Sequence, residues 1–224
     1  MNLAIDEPIR NRYPGLSIPY SNISNVSVER DSEELRVLRA SVLDRARSQH
    51  DLTTLKDSPV FRAYRDFFWR IGIDPTKIRP AGEALIRRVL RRTGIPSVNT
   101  LVDAYNLASV ETGIAMAAFD TDQIRGSLLL RFSNPSEEFL GIGMNSPVTL
   151  KGGEVVIGDE VGILAIYPYR DAERSKIQFT TKSVVILACG VPGIDLDLLR
   201  RALSICIDYV TDFCGGVVES QHLA

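Results

Sequence analysis

Histidine and cysteine are scarce in this chain, and their scarcity excludes several kinds of active site. Only two of the 224 residues are histidines, His50 in a polar segment and His222 near the C-terminal end. Histidine-based metal centres and Ser-His-Asp triads need more than isolated histidines in polar segments, so we expect no metal and no cofactor. The cysteines Cys189, Cys206 and Cys214 lie in or beside apolar segments without paired spacing, which predicts buried free thiols.

Long apolar runs and a strong charge excess are also missing. The longest apolar stretches, such as residues 184–191, are far shorter than the roughly 20 residues that span a bilayer. The first residues lack the charged-then-apolar pattern of a signal peptide, so we expect a cytoplasmic protein without membrane association. With 45% hydrophobic residues, the chain can bury one large core, or one core with a small helical appendage.

Hydrophobic periodicity predicts mainly helices in the first half of the chain and strands in the second. A strand near residues 23–28 precedes predicted helices at 32–47, 59–71 and 83–92. Strands are predicted at 127–132, 147–150, 154–157, 161–166, 176–179 and 184–188, before a last helix at 196–213. This order predicts an α+β fold with helices packed on mixed β-sheets. We interpret residues 1–58 as a strand-and-helix extension packed on a core domain of residues 59–216.

The stretch of residues 94–126 places polar residues within an apolar helical pattern that ends at Gly113. Asn99, Asp103 and Asn106 are four and three residues apart, so they share one stripe of the predicted helix. Their side chains could converge on a ligand or on one backbone segment. The alternative is that Asn99 and Asp103 cap the helix and bond to nearby backbone.

The polar positions of this stretch also match a known family in order and spacing. The match comprises residues 94–103, Asn106, Glu111-Thr-Gly113, Met116 and Ala118-Phe-Asp120, and it continues at 124–131 and 181–187. Over about residues 60–215 the chain resembles the B3/B4 domain of the phenylalanyl-tRNA synthetase β subunit. The resemblance implies β/β/α layers and binding of tRNA or aminoacyl-tRNA. In the synthetase this domain clears tRNA(Phe) mischarged with tyrosine, and a chain of this size resembles a free-standing version of it.

Three positions depart from the family's pattern. A histidine that helps to position the attacking water in the synthetase corresponds to Ala117, and a pocket glutamate corresponds to Leu187. A threonine of the tyrosine-selecting pocket corresponds to the bulkier Tyr105. Ester hydrolysis needs an oriented water and donors for the oxyanion, and the retained Asn106 is the best candidate for orienting the substrate. Tyrosine editing therefore does not transfer directly to this chain.

A turn between two predicted strands, Tyr167-Pro-Tyr-Arg-Asp171 with Arg174 after it, is a second candidate. Free-standing relatives have a similar Tyr-Arg-Asp and arginine run here, so the resemblance implies a pocket rim where Arg170 or Arg174 could bind a carboxylate or phosphate. The alternative is a charged hairpin in which Asp171 pairs with Arg174. The predicted substrate-binding residues are Asn99, Asp103, Tyr105, Asn106, Glu111, Ala117, Asp120, Arg170 and Arg174.

Arginines cluster on the third predicted helix, where Arg87, Arg88, Arg91 and Arg92 follow Arg79. Guanidinium groups bind phosphate oxygens in pairs, so this cluster is our predicted RNA-binding surface. The alternative is the ordinary solvated face of an amphipathic helix, since a net charge of −2 gives no general attraction to nucleic acid.

Two functional interpretations remain open. The first is an enzyme that hydrolyses misacylated tRNA in trans, with specificity for an amino acid other than tyrosine because Tyr105 and Ala117 reshape the pocket. The second is a non-catalytic module that binds tRNA, an amino acid or a small metabolite. The expected partners are tRNA or aminoacyl-tRNA and a small amino-acid ligand, and the sequence leaves the oligomeric state undetermined.

Overall fold

Six helices and eleven strands make up the computed structural model, which describes residues 1–224. The helices are α1 (Glu7–Arg12), α2 (Glu33–Gln49), α3 (Pro59–Arg70), α4 (Ala81–Leu90), α5 (Thr100–Thr112) and α6 (Leu196–Cys214). The strands are β1 (Leu3–Ile5), β2 (Pro19–Ser24), β3 (Met116–Asp120), β4 (Leu128–Phe132), β5 (Glu138–Phe139), β6 (Val148–Thr149), β7 (Val155–Gly158), β8 (Ile163–Ile166), β9 (Arg170–Asp171), β10 (Val184–Ala188) and β11 (Val217–Leu223). The predicted α+β class is confirmed. None of the helices combines the length and apolarity that crossing a membrane requires.

The strands form two larger sheets and one short ribbon. One sheet has the order β1-β4-β7-β8-β9, in which only the β1–β4 pair is parallel. The other is antiparallel with the order β11-β2-β10-β3. Every residue of β3 and β10 is buried, so this half of the second sheet is covered on both faces, whereas the edge strand β11 is largely exposed. Helices α5 and α6 pack on it, and the largest apolar cluster joins it to the first sheet, in agreement with β/β/α layers.

Capping residues explain where the helices next to the site begin and end. The Asn99 side chain accepts a hydrogen bond from the backbone of Val102 at the start of α5. Gly113, with φ of 75°, ends this helix in the left-handed conformation that glycine adopts without steric cost. The first turn of α4 packs directly on this point. A Cβ atom at Gly82 would lie 2.4 Å from the carbonyl oxygen of Gly113, so only glycine allows the two helices to approach this closely.

A buried carboxylate holds α4 from its inner side. The Glu83 side chain is fully buried and accepts hydrogen bonds from the guanidinium groups of Arg65 at 3.1 Å and Arg87 at 2.8 Å. Arg65 belongs to α3, so the interaction ties α3 to α4. Together with the close contact at Gly82, it fixes the position of α4 relative to α5.

Several predicted elements differ from the structure. The predicted strand at residues 176–179 is wrong, because this segment follows a short 3₁₀ turn and pairs with no strand. Residues 116–120, for which no strand is predicted, form the fully buried strand β3. The N-terminal strand lies at Pro19–Ser24 instead of 23–28 and is an inner strand of its sheet. The N-terminal segment therefore supplies strands to both sheets and residues to the main core.

Candidate functional site

A cavity of about 180 Å³ lies between α5, the start of α4 and the ends of strands from both larger sheets. It is lined by Ala81, Tyr105, Asn106, Ala115, Met116, Ala117, Ile157, Ala165, Ile166, Tyr167, Pro168, Tyr169, Arg170, Asp171 and Cys189. Most of these residues are hydrophobic, and the few polar groups converge from different elements. Such a combination is typical of sites for small organic ligands.

Two buried tyrosine hydroxyls hold the wall of this cavity in place. The Tyr64 hydroxyl donates to the carbonyl of Cys189 at 2.7 Å and accepts a hydrogen bond from the backbone of Ala115 at 3.0 Å. The Tyr167 hydroxyl donates to the carbonyl of Gly190. Both hydroxyls thus bond to the backbone just before β3 or just after β10. Neither is available as a donor to a ligand.

Three polar side chains in the cavity wall remain available. Asn106 projects from α5 on one side, and Arg170 and Asp171 come from β9 on the other. The Arg170 guanidinium lies 5.3 Å from the centre of the Tyr169 ring. The Asp171 carboxylate has no hydrogen-bonding or charged partner, and burial raises its pKa to about 7. The wall therefore presents an amide, a guanidinium and a carboxyl group to a ligand.

Cys189 and Tyr105 contribute neutral groups to the same cavity. Burial raises the pKa of the Cys189 thiol well above its usual range, and the nearby Asp171 carboxylate raises it further. The pKa of the Tyr105 hydroxyl is also raised, first by burial and then by Asp171. Because the thiolate is the reactive form of cysteine, Cys189 is poorly suited to nucleophilic catalysis.

A groove lined by arginines runs along the outer side of α4. Arg79, Arg87, Arg88 and Arg91 line it together with Ala84 and Thr93, and its volume is about 440 Å³. We call this surface the arginine groove. Ala81 lines the cavity and lies one turn before Ala84 in the same helix, so the groove starts close to the cavity and follows α4 from Ala84 to Arg91, roughly 10 Å at 1.5 Å per residue.

Comparison with known proteins assigns this arrangement to a family. The family model of the B3/4 domain matches residues 63–215, more than half of the chain. The chain belongs to the B3/4 domain family. This finding confirms the resemblance carried by the motif around Asn106.

The relatives of this B3/4 domain are much longer proteins. The phenylalanine–tRNA ligase beta subunit of Haemophilus ducreyi is 25% identical over 156 residues, which cover 59% of this chain and 20% of the subunit. The corresponding subunit of Tropheryma whipplei is 32% identical over 134 residues, covering 60% of this chain and 14% of the subunit. The chain thus spans about a fifth or less of the length of the curated relatives it matches.

A solved structure shares the fold. The N-terminal fragment of the phenylalanyl-tRNA synthetase beta-subunit from Pyrococcus horikoshii aligns with a TM-score of 0.52 and 14% identity, covering all of this chain and 54% of that fragment. At this identity the likeness shows the fold of the B3/4 domain and no more.

Four of the predicted substrate-binding residues line the cavity of this B3/4 domain. They are Tyr105, Asn106, Ala117 and Arg170. Leu187, at the family's glutamate position, is fully buried in β10 and does not line the cavity. The position of the family's pocket glutamate therefore supplies no carboxylate to the cavity.

The other predicted residues make structural contacts elsewhere in the B3/4 domain. The Asp103 carboxylate accepts hydrogen bonds from Arg39, Ser97 and the backbone of Val98. Glu111 pairs with Arg45 at 2.8 Å and accepts a hydrogen bond from the Tyr209 hydroxyl. Asp120 accepts one from Thr181 at 2.7 Å. Asn99 is the cap described above, so the capping alternative describes both Asn99 and Asp103.

The two arginine predictions need corrections in detail. Arg174 does not pair with Asp171. Its guanidinium is bound to Asp159 at 2.5 Å and to the carbonyl of Gln123, so it stabilises a loop outside the cavity. Arg92 lies just beyond the end of α4, with a φ of 58°, and does not line the arginine groove. Arg87 lines the groove but is already paired with Glu83.

Sequence reasoning missed Asp171 and Cys189 as cavity residues. Asp171 belongs to the turn predicted as a pocket rim, but the prediction assigns it no binding function and the alternative pairs it with Arg174. The one available signal in the sequence is its position at the end of the Tyr167-Pro-Tyr-Arg-Asp171 turn between two predicted strands. Cys189 gave no signal, because its segment reads as an ordinary buried strand.

Replacing Asp103 by alanine is expected to lower the free energy of unfolding by about 2–3 kcal/mol. The substitution removes the acceptor for three donors, and the Asp103 side chain is only 3% exposed. Urea denaturation followed by circular dichroism measures the change. Replacing the exposed Asp44, which pairs only with Arg47 on the same helix, serves as the control and should change stability by less than about 0.5 kcal/mol. Equal effects of the two substitutions would contradict a structural function of Asp103.

Proposed function

We propose that this domain binds the aminoacylated 3′ end of a tRNA supplied in trans and hydrolyses the ester bond of an incorrect amino acid. One observation carries the proposal. Tyr105, Asn106 and Ala117, which correspond to pocket residues of the synthetase domain, line a single cavity beside the helix that bears the arginine groove. An aminoacyl group in the cavity would leave the RNA backbone next to a row of guanidinium groups.

Asn106 is the group we assign to the ester. Its side chain lies in the cavity wall at the middle of α5, where helix packing fixes the backbone. An amide N–H donor aimed at the developing oxyanion stabilises the transition state of ester hydrolysis. Ala117 supplies no base, so a water oriented by the ligand's own 2′ or 3′ hydroxyl group completes the proposed chemistry.

The volume and lining of the cavity favour a small apolar amino-acid side chain. The cavity of about 180 Å³ is small beside the roughly 300–1,000 Å³ of pockets for drug-sized ligands. Ala117, Ile157 and Ala165 are among the apolar residues of its wall, and Leu187, at the family's glutamate position, supplies no carboxylate there for a tyrosine hydroxyl. The adenosine and the RNA backbone would lie outside, along the opening.

Deacylation of a panel of aminoacyl-tRNAs tests the proposal. We expect release above the spontaneous rate for at least one amino acid with an apolar side chain smaller than tyrosine, and little or none for tyrosine. No release above the spontaneous rate from any member of the panel would overturn the proposal. Release of tyrosine alone would overturn the proposed specificity.

The second candidate is a non-catalytic module that binds an amino acid. Ala117 favours it, because it replaces the histidine that positions the attacking water in the family's pattern, and the cavity of about 180 Å³ suits an amino acid alone. Such a module would show a rise in melting temperature with free amino acids while leaving every aminoacyl-tRNA of the panel intact.

Replacing both Arg88 and Arg91 by alanine is expected to weaken tRNA binding about tenfold at moderate salt and to reduce the salt slope by about 1–2. Both residues line the arginine groove, and neither is in an ion pair with an acidic side chain. Fluorescence anisotropy with labelled tRNA across a salt series measures both quantities. Replacing the exposed Arg200 and Arg201 of α6 is the matched control, since it removes the same charge from another surface. Equal losses in both double variants would assign the effect to net charge instead of the groove.

A further inference from the structure

The carboxylate of Asp171 lacks any cationic or hydrogen-bonding partner although it lies in the wall of the cavity. Backbone pairing of β9 with β8 places Asp171 opposite Ala165, and both residues line the cavity. No hydrogen bond or charge offsets the loss of water around the carboxylate. Asp171 is half-buried, and a carboxylate that has lost part of its hydration without gaining a partner is a position where a ligand cation would be bound favourably.

The groups that face Asp171 offer no such cation from the protein itself. Tyr105 approaches from α5 and Cys189 from the end of β10, and burial keeps both in their neutral forms. The neighbouring Arg170 is directed towards the ring of Tyr169. The hydroxyl of Tyr167, in the same wall, donates to the carbonyl of Gly190. The carboxylate is therefore free to bind a positively charged group of a ligand.

We infer that Asp171 binds the α-ammonium group of the aminoacyl ligand and thereby sets its orientation in the cavity. The inference rests on the proposed function only in taking an aminoacyl group as the ligand. Asp171 and Asn106 line the same cavity from two different elements, β9 and α5. With the ammonium group on Asp171, the carbonyl carbon next to the α-carbon faces Asn106, and the side chain lies against the apolar wall. Asp171 is thus a positioning and specificity residue that selects ligands with a free amino group.

Binding of amino-acid amides with and without an N-acetyl group tests this assignment. Amides are used because the proposed activity would hydrolyse the corresponding esters during the measurement. The probes are the amides of alanine, valine, leucine, methionine and phenylalanine and their N-acetyl counterparts, measured by calorimetry and thermal shift. We expect the wild-type protein to bind at least one amide tenfold or more tightly than its N-acetyl form. Asp171→Asn should bind both forms equally weakly, and Glu173→Gln, a neighbouring carboxylate outside the cavity, should retain the discrimination.

The pH dependence supplies a readout that a merely structural residue would not change. The pKa of Asp171 in the empty cavity is about 7, so its ionised fraction falls as the pH is lowered from 7.5 to 5.5. Amide affinity should fall with it, by roughly 15-fold over this range, because the α-amino group, with an ordinary pKa of about 7.7–8.0, is already about two-thirds protonated at pH 7.5 and its further protonation offsets only a small part of the loss. Tyr105 and Cys189 remain neutral throughout this range. The Asp171→Asn variant should show no such dependence.

The outcomes separate this inference from the proposed function. If the wild-type protein binds no amide, binds N-acetyl amides equally well, or discriminates equally well after Asp171→Asn, the inference is overturned, whatever the deacylation panel shows. If amides bind with a requirement for the free amino group but no aminoacyl-tRNA is hydrolysed, the inference holds and the proposed hydrolysis fails.

Discussion

Replacing Asn106 by alanine is expected to slow single-turnover deacylation of the preferred aminoacyl-tRNA by about 10²–10³-fold, the typical cost of losing one oxyanion donor. Affinity for the same tRNA carrying a non-hydrolysable amide linkage should change little, because the RNA contacts lie in the arginine groove. Such a split between rate and affinity is expected when an interaction is made mainly in the transition state. Rapid-quench kinetics and anisotropy titrations measure the two quantities.

Two further substitutions control this experiment. Asn106→Asp preserves the shape of the side chain but replaces the N–H donor with an acceptor, so it should be as slow as Asn106→Ala. Asn99→Ala removes the cap of the same helix, which costs about 1 kcal/mol of stability, and should leave the rate unchanged in the folded protein. If Asn99→Ala slows the reaction as much as Asn106→Ala, the effect comes from the helix and not from a donor at residue 106.

Replacing Glu83 by alanine should lower the free energy of unfolding by about 3–5 kcal/mol, the usual cost of removing one partner from a buried ion pair. Glu83 is fully buried and accepts from two arginines, so the variant leaves two guanidinium groups of low exposure without an acceptor. Urea denaturation measures the loss, and the exposed Arg88 on the same helix is a suitable control position, with an expected change below about 0.5 kcal/mol.

The Glu83 prediction also concerns the site, because α4 carries both Ala81 in the cavity wall and the arginine groove. Glu83→Gln keeps the shape and one acceptor oxygen, and we expect a smaller loss of stability with tRNA affinity retained. A Glu83→Ala protein as stable as the wild type would show that the two arginines find other partners and that α4 is held mainly by its contact at Gly113.

Local signals in the sequence predicted the helices better than the strands. Capping residues and apolar spacing are signals contained within a few residues of the chain, so they can be recognised without knowledge of the fold. Helices α3, α5 and α6 are accordingly close to their predicted positions. Strands depend on partners far along the chain. Strand β1 pairs with β4 and β2 pairs with β11, across more than half of the sequence in each case, and no local pattern marks β1 or β11 as a strand.

The sequence by itself determined the family, the α+β class and the helix that carries Asn106, because these depend on residue order and local periodicity. Tertiary structure alone decided which polar residues of that helix reach the cavity. Asn99, Asp103 and Asn106 share one stripe, but Asp103 meets Arg39 of α2 while Asn106 meets the cavity. Tertiary structure also placed Asp171 in the cavity wall without a partner. The physical reason is that helical spacing fixes only which face of the helix a side chain lies on. Its partners depend on which other elements pack against that face at each turn of the helix.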